Sequence, residues 1–366
     1  MVAPMAGLAK NKNLYNKIVP SGQNFKSNNS SKVIFNLFKL GKLHTVEVDK
    51  KLPTDGKRLK YCRSYNGNLV GPLLEKALVQ LMFDGNYSSA YAVSASLVMT
   101  SLTNSFYDNF VSSSNDSRFK FKELLDHGLK TNCQMIAVFR QPVPKVWWST
   151  KGLRTYHCYN VVGMKNSEKD SVELYDPHGK IVSIEKEAFI DSCVRFDVSY
   201  SENKIFRMPE VNTLVNFADN WPPLKCNEKM HFVDYDLLIN EIDTEILINV
   251  IINYQIGIDA KIFIITNDDK ITVVNCSVIK SRKIVHRKSL RETLKSGKYK
   301  IVVVLSTDIQ RVASCAVCKE YLEKCGDKFL LRVAASKQCS VKKSVKRETD
   351  KITNTLYNFM VSVDTS

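Results

Sequence analysis

From residue 245 onward the chain falls into short runs dense in β-branched side chains: EILINVIINYQ, AKIFIITN, KITVVNCSVI, KYKIVVVLST and KFLLRVAAS. Val, Ile and Thr lose rotamer freedom in a helix but pack well on a pleated surface, so such runs are strands. Turn residues separate them, and none approaches the roughly 18 apolar residues a membrane-spanning helix needs. Many short strands with no helical pattern between them must stack sheet on sheet. The expected architecture over residues 228–337 is an all-β sandwich.

The segment before it, RMPEVNTLVNFADNWPPLKCNEK, carries three prolines and little periodicity. Proline cannot donate to a strand ladder or continue a helix, so residues 207–227 are expected to link two domains. At 366 residues the chain is long enough for both to bury a core. Beyond the sandwich, residues 338–366 open on KQCSVKKSVKRETDK and read as a basic tail.

Residues 1–206 mix the two periodicities, which makes the chain as a whole α+β. LAKNKNLYNKIV (8–19) reads as one amphipathic helix ending before Pro20. Alternating residues on both sides of Gly41 predict a hairpin. GPLLEKALVQLMFDG (71–85) has helical spacing, with Pro72 in the first turn and Gly85 at the end, and a further helix is expected at 118–130. CQMIAVF, YHCYNVVGM and DSVELYD read as strands. SIEKEAFIDSCVRFDVSY (183–200) reads as a helix, N-capped by Ser183, that runs into a strand.

Taken in order, these segments resemble a known family. FNLFKLGKLHTVEVDKKLPTDGKRLKYCRS and GPLLEKALVQLMFDGNY are similar to the first catalytic subdomain of calpains, the intracellular calcium-dependent cysteine proteases. SLVMTSLTNSFYD resembles the entry to their second subdomain, YHCYNVVGM the strand bearing the catalytic histidine, and LYDPHG the turn bearing its asparagine. SIEKEAFIDSCVRFDVSY is similar to the end of that subdomain, and LKSGKYKIVVVLSTDI with DKFLLRVAAS to the closing strands of the calpain C2-like domain. The resemblance implies a truncated papain-like calpain catalytic core over residues 1–206, followed by an all-β C2-like sandwich.

It also assigns a site. His157 falls at the position of the base and Asp176 at that of the residue orienting the imidazole, where calpains have asparagine. A carboxylate can hold an imidazole in one tautomer, so that exchange alone does not exclude activity. His178 replaces a tryptophan that walls the family's site. The family's nucleophile is a cysteine at a helix N-terminus, where the helix dipole lowers the thiol pKa. MVAPMAGLAKN aligns with the continuation of that helix, so the cysteine and the oxyanion glutamine are expected upstream of Met1.

No other cysteine follows a glycine-rich turn into a helix. Cys158 points to the opposite side of its strand from His157, Cys62 and Cys133 sit in strand-like runs, and Cys193 belongs to the helix before the last strand. Calcium, which needs six to eight oxygens, is the family's cofactor, but Ser88 stands where the family has an acid. The connection after Gly179 is also short. No cofactor or metal is therefore assigned. CAVCKEYLEKC (315–325) has one Cys-x-x-Cys and reads as free thiols rather than zinc ligands, TNDD (266–269) as a turn, and KKSVKR (342–347) as a solvated tail.

A formal charge of +16 without basic motifs interleaved with aromatics argues against nucleic acid and leaves a weak attraction to anionic membrane surfaces. Ten scattered cysteines and a start unlike a signal peptide suggest reduced thiols and a cytoplasmic protein. The leading expectation is a calpain-family pseudoenzyme that binds a polypeptide or protein partner and has a regulatory role. The alternatives are a calcium-dependent cysteine endopeptidase whose nucleophile lies on a missing upstream segment, and a scaffold at a membrane surface.

Overall fold

The alternation around Gly41 becomes a two-stranded antiparallel sheet of β1 (Val33–Lys39) and β2 (Lys42–Val48), in register from Val33 opposite Val48 to Lys39 opposite Lys42. Leu40 and Gly41 connect them with φ of 50° and 77°. Two consecutive positive φ values match the right-handed twist of the strands. Val33, Phe35 and Leu37 bury one face, together with Val46 and Val48.

This hairpin belongs to a computed structural model that describes residues 2–8, 11–26, 32–63, 67–88, 90, 93–111, 115–139, 153–154, 157–165, 170–177, 179–201, 204–205, 208, 210–220, 230–252, 258–266, 273–276, 289–307, 328–344 and 356. The chain forms two compact units, Met1–Phe206 and Arg207–Ser366. His178, CAVCKEYLEKC, residues 267–269 of TNDD and residues 345–347 of KKSVKR lie outside the described residues.

In the first unit the expected helix at 8–19 is two: α1 (Val2–Leu8) and α2 (Lys12–Ile18). The break has a local cause, because Asn11 Oδ1 accepts the Leu14 N–H at 3.1 Å and caps a new helix there. α3 (Val70–Phe83) ends where Asp84 and Gly85 turn left-handed, with φ of 48° and 84°. α4 (Ala95–Thr103) starts on a Ser94 cap and was not expected. α5 spans Asn115–Thr131, slightly beyond the expected 118–130.

The strands of this unit are β3 (Phe106–Val111), β4 (Gln134–Phe139), β5 (Cys158–Lys165), β6 (Ser171–Tyr175), β7 (Ile181–Glu185) and β8 (Cys193–Tyr200). They form one antiparallel sheet in the order β3-β8-β4-β5-β6-β7. Two details correct the sequence reading. Ser183 pairs with Glu173 inside β7, and α6 (Lys186–Ser192) starts directly after Glu185, with no side-chain cap. Cys193 opens β8 rather than ending the helix.

The two faces of this sheet differ in chemistry. One carries Phe110, Phe196 and Phe139, which stack or meet edge-on with Phe121 of α5 or Phe189 of α6, and Tyr159, which meets Phe139 edge-on, at centroid distances of 5.0–6.1 Å. The other face carries Asn109, Arg195, Asp197, Ser199, Gln134 and Asn160, and lies beneath α1 and α4. There Arg195 Nε is 3.0 Å from the Asp197 carboxylate, to which the Asn109 amide also donates. A buried charge is tolerated only with such partners.

The second unit consists of β9 (Thr213–Asn220), β10 (Met230–Ile239), β11 (Thr244–Ile252), β12 (Ile258–Thr266), β13 (Val273–Cys276), β14 (Ser289–Leu294), β15 (Gly297–Thr307), β16 (Lys328–Ala335) and β17 (Cys339–Lys343). Two antiparallel sheets, β13-β12-β15-β10-β17 and β14-β11-β16-β9, enclose one core in which Ile246, Ile248 and Val250 meet Ile262, Ile264, Ile301 and Val303. Each such side chain contributes about 1.5–3 kcal/mol by burial. Exposed ion pairs such as Lys32–Glu47 on the first unit are screened by water, so the interior dominates.

Here too the segment boundaries shift. β9 lies within the expected linker and pairs fully with β16, and β17 lies within the expected tail and pairs with β10. Cross-sheet bonds fasten this edge. Cys339 N donates to Thr213 Oγ1 at 2.9 Å, and Asp219 takes both the Tyr235 hydroxyl and the Lys343 ammonium. Among the described residues no helix is long and apolar enough to cross a membrane.

Candidate functional site

The loop between β6 and β7 closes on itself. Asp176 N donates to Lys180 O and Gly179 N to Asp176 O, both at 2.8 Å, with Gly179 at a φ of 93° that a side chain would disfavour. The turn leaves Asp176 only 4% exposed at the end of β6. His157 stands immediately before β5, the neighbouring strand, where Asn160 is paired with Tyr175.

The register therefore brings the two side chains together across the strand ends. His157 Nε2 lies 3.2 Å from Asp176 Oδ1, with 23% of the histidine side chain exposed and 6% of the aspartate's. The edge of the arrangement is a tyrosine. The Tyr159 ring meets the imidazole edge-on at 4.9 Å, and its hydroxyl accepts the Arg154 N–H at 2.7 Å. Burial raises the Tyr159 pKa above its ordinary value, so it stays a neutral wall. Sequence reasoning missed Tyr159, although its place two residues after His157 on a strand puts both on one side.

With Nε2–H directed at the carboxylate, Nδ1 is the basic nitrogen of the neutral ring. The pair can thus accept a proton at Nδ1 and stabilise the imidazolium that results. Cys158, the next residue, diverges from it and packs against Ala3, Met99 and Ile136.

A nucleophilic thiol needs a lowered pKa. The described cysteines show the reverse. Burial pushes the thiols of Cys62, Cys133, Cys158, Cys193 and Cys339 upward, that of Cys62 to about 12. Cys62 is a buried residue in an otherwise exposed loop rather than in a strand, and its N–H donates to Glu75 Oε2 at 2.9 Å. Glu75 is itself buried on α3, and burial raises its carboxyl.

Ser88 is exposed, its N–H donating to Asn86 Oδ1 at 2.9 Å. Among the described residues no group of three or more His, Cys, Asp or Glu gathers to hold a metal ion. A hydroxyl in that position does not fit calcium's preference for carboxylate oxygens.

Similarity to known proteins falls on the same region. The family model of the calpain family cysteine proteases matches residues 1–191. Over 168 residues the chain is 26% identical to calpain clp-1 of Caenorhabditis elegans, a stretch that is 45% of this chain and 21% of that protein. The match thus spans about a fifth of the relative's length.

Proposed function

The chain belongs to the calpain family of cysteine proteases, and on that premise we propose that His157 is the base and Asp176 the orienting residue of a papain-like site. The ligand class is a polypeptide, as the protease family implies. We read the second unit as the family's C2-like sandwich, a regulatory and binding module.

One observation carries the site: His157 Nε2 and Asp176 Oδ1 are 3.2 Å apart at the ends of neighbouring strands. Asp176 holds the proton on Nε2, and Nδ1 takes a proton from an approaching thiol. The described thiols are buried with raised pKa values, so none of them serves as that nucleophile. With no nucleophile beside the pair among the described residues, our reading is of a chain that binds polypeptide without cleaving it.

The retained pair also favours a second reading, in which a cysteine on a segment N-terminal to Met1 completes an endopeptidase. An epoxide probe for cysteine proteases, applied to the protein purified with whatever segment its transcript encodes N-terminal to Met1, separates the two. The expected result is no labelling of the purified chain with or without calcium. Labelling that His157→Ala abolishes would overturn the binding-only reading in favour of the endopeptidase.

A further inference from the structure

Helix α1 is docked on the polar face of the sheet by side-chain amides rather than by apolar contact alone. Asn160 Nδ2 donates to the Ala3 carbonyl at 2.5 Å, and Gln134 Nε2 donates to the Pro4 carbonyl at 2.7 Å. Asn160 is 1% exposed. The amide orientations follow from these bonds, since a flip would set oxygen against oxygen. The remaining oxygens, Asn160 Oδ1 and Gln134 Oε1, are buried and accept no hydrogen bond among the described residues.

Such unpaired acceptors are costly, so the two donated bonds are maintained against a penalty. The third contact is steric. A Cβ on Gly7 would lie 2.5 Å from Asn160 Oδ1 and 3.2 Å from Gln134 Nε2. Residues 3, 4 and 7 share one helical face, and Ala3 also packs with Met99 and Ile136 beside Cys158.

From this geometry we infer that Asn160 and Gln134 are positioning residues. They key α1, at a height only glycine permits, to the two strands β4 and β5, the second of which starts directly after His157. Asn160 is three residues from His157 on the same chain segment, so wherever α1 rests relative to Asn160, it rests relative to the base. The functional meaning depends on His157 being that base, but the lock itself does not.

The donor is what the lock requires, and that gives it a pH signature. In Asn160→Asp the shape is kept, but a carboxylate cannot donate to the Ala3 carbonyl, whereas a protonated carboxyl can. Hydrogen exchange of the Gly7 and Leu8 amides in the full chain reads the docking. Protection in the native chain at each pH is the reference for the variants. Asn160→Asp should lose about tenfold at pH 8 and recover it near pH 5, and Gln134→Glu should repeat the pattern.

Gly7→Ala should lower protection although alanine is the better helix former, and Asn160→Ala should relieve that loss in the double variant. If Asn160→Asp matches the native chain at both pH values, or is equally depleted at both, the inference fails. Should that variant not fold, Gln134→Glu decides alone by the same two criteria. Exchange needs no turnover, so failure here leaves the His157 reading intact, and the outcome with the epoxide probe leaves the lock intact.

Discussion

His157 Nε2 and Asp176 Oδ1, 19 residues apart in the sequence, meet at 3.2 Å across the ends of two neighbouring strands. The contact fixes which nitrogen of the neutral ring carries the proton. Nitrogen NMR of the imidazole should find Nε2 protonated as the dominant neutral form, and Asp176→Ala should redistribute the tautomers while lowering stability by about 1–3 kcal/mol. A ring predominantly protonated at Nδ1, or a tautomer ratio that ignores the substitution, would remove the orienting role from Asp176.

Leu40 holds a left-handed conformation, with φ at 50°, in the hairpin turn beside Gly41. For an L-residue with a branched side chain this costs roughly 1–2 kcal/mol. Asparagine tolerates the conformation and is common at the first position of such turns. Leu40→Asn should therefore stabilise the chain by about 1 kcal/mol in denaturant titrations, with an unchanged m-value. A loss of stability would show that packing of the Leu40 side chain outweighs the backbone strain.

The thiols offer a second check on the site. With Cys62 raised to about 12, only about one molecule in ten thousand carries its thiolate at pH 8. In the folded chain Cys62, Cys158 and Cys193 should resist iodoacetamide at that pH for hours and react promptly after unfolding, as peptide mapping would show. Rapid modification of any of the three in the native state would mark a thiol far more reactive than its burial allows.

Glu75 predicts a pH dependence. Burial raises its carboxyl above the ordinary 4.5, and the hydrogen bond from Cys62 N offsets this only in part. A carboxyl bound more tightly to its proton when folded makes stability fall as pH rises from the unfolded value through the folded one. Below about 4.5 the penalty is absent, and above the folded value it is fully present. Glu75→Gln keeps an acceptor for Cys62 N without the charge, so it should raise the thermal midpoint at pH 7 and not at pH 4. An equal gain at both values would mean that charge is not the cause.

How much of this was legible in the residues depended on whether a local signal existed. β11, β12, β15 and β16 announce themselves because their runs are nearly continuous in β-branched side chains. β10 has good alternation, with Tyr235, Leu237 and Ile239 turned inward, but it follows the proline-rich stretch, which gives its start no strand signal. β9 was masked in the same way, being held in its sheet by β16, more than a hundred residues later.

α4 escaped because SLVMTSLTN is rich in Ser and Thr, which by themselves favour caps and turns, while tertiary packing of Val98, Met99 and Leu102 makes it a helix. At the candidate site, resemblance to calpains pointed to His157 and Asp176, and the structure brings their side chains to 3.2 Å. No spacing rule could have found Asn160 and Gln134 as partners of Ala3 and Pro4, since those contacts bridge more than a hundred residues.

The unlike faces of the six-stranded sheet also bear on how this unit avoids assembling wrongly. Sliding β4 or β8 by a single residue would turn Phe139 or Phe196 toward α1 and push Gln134 or Asp197 in among the rings of Phe121 and Phe189. A sheet with one solvated face could survive such a slip at modest expense. Here both sides would protest at once, so the pairing that sets His157 beside Asp176 is proofread from above and below before any ligand arrives.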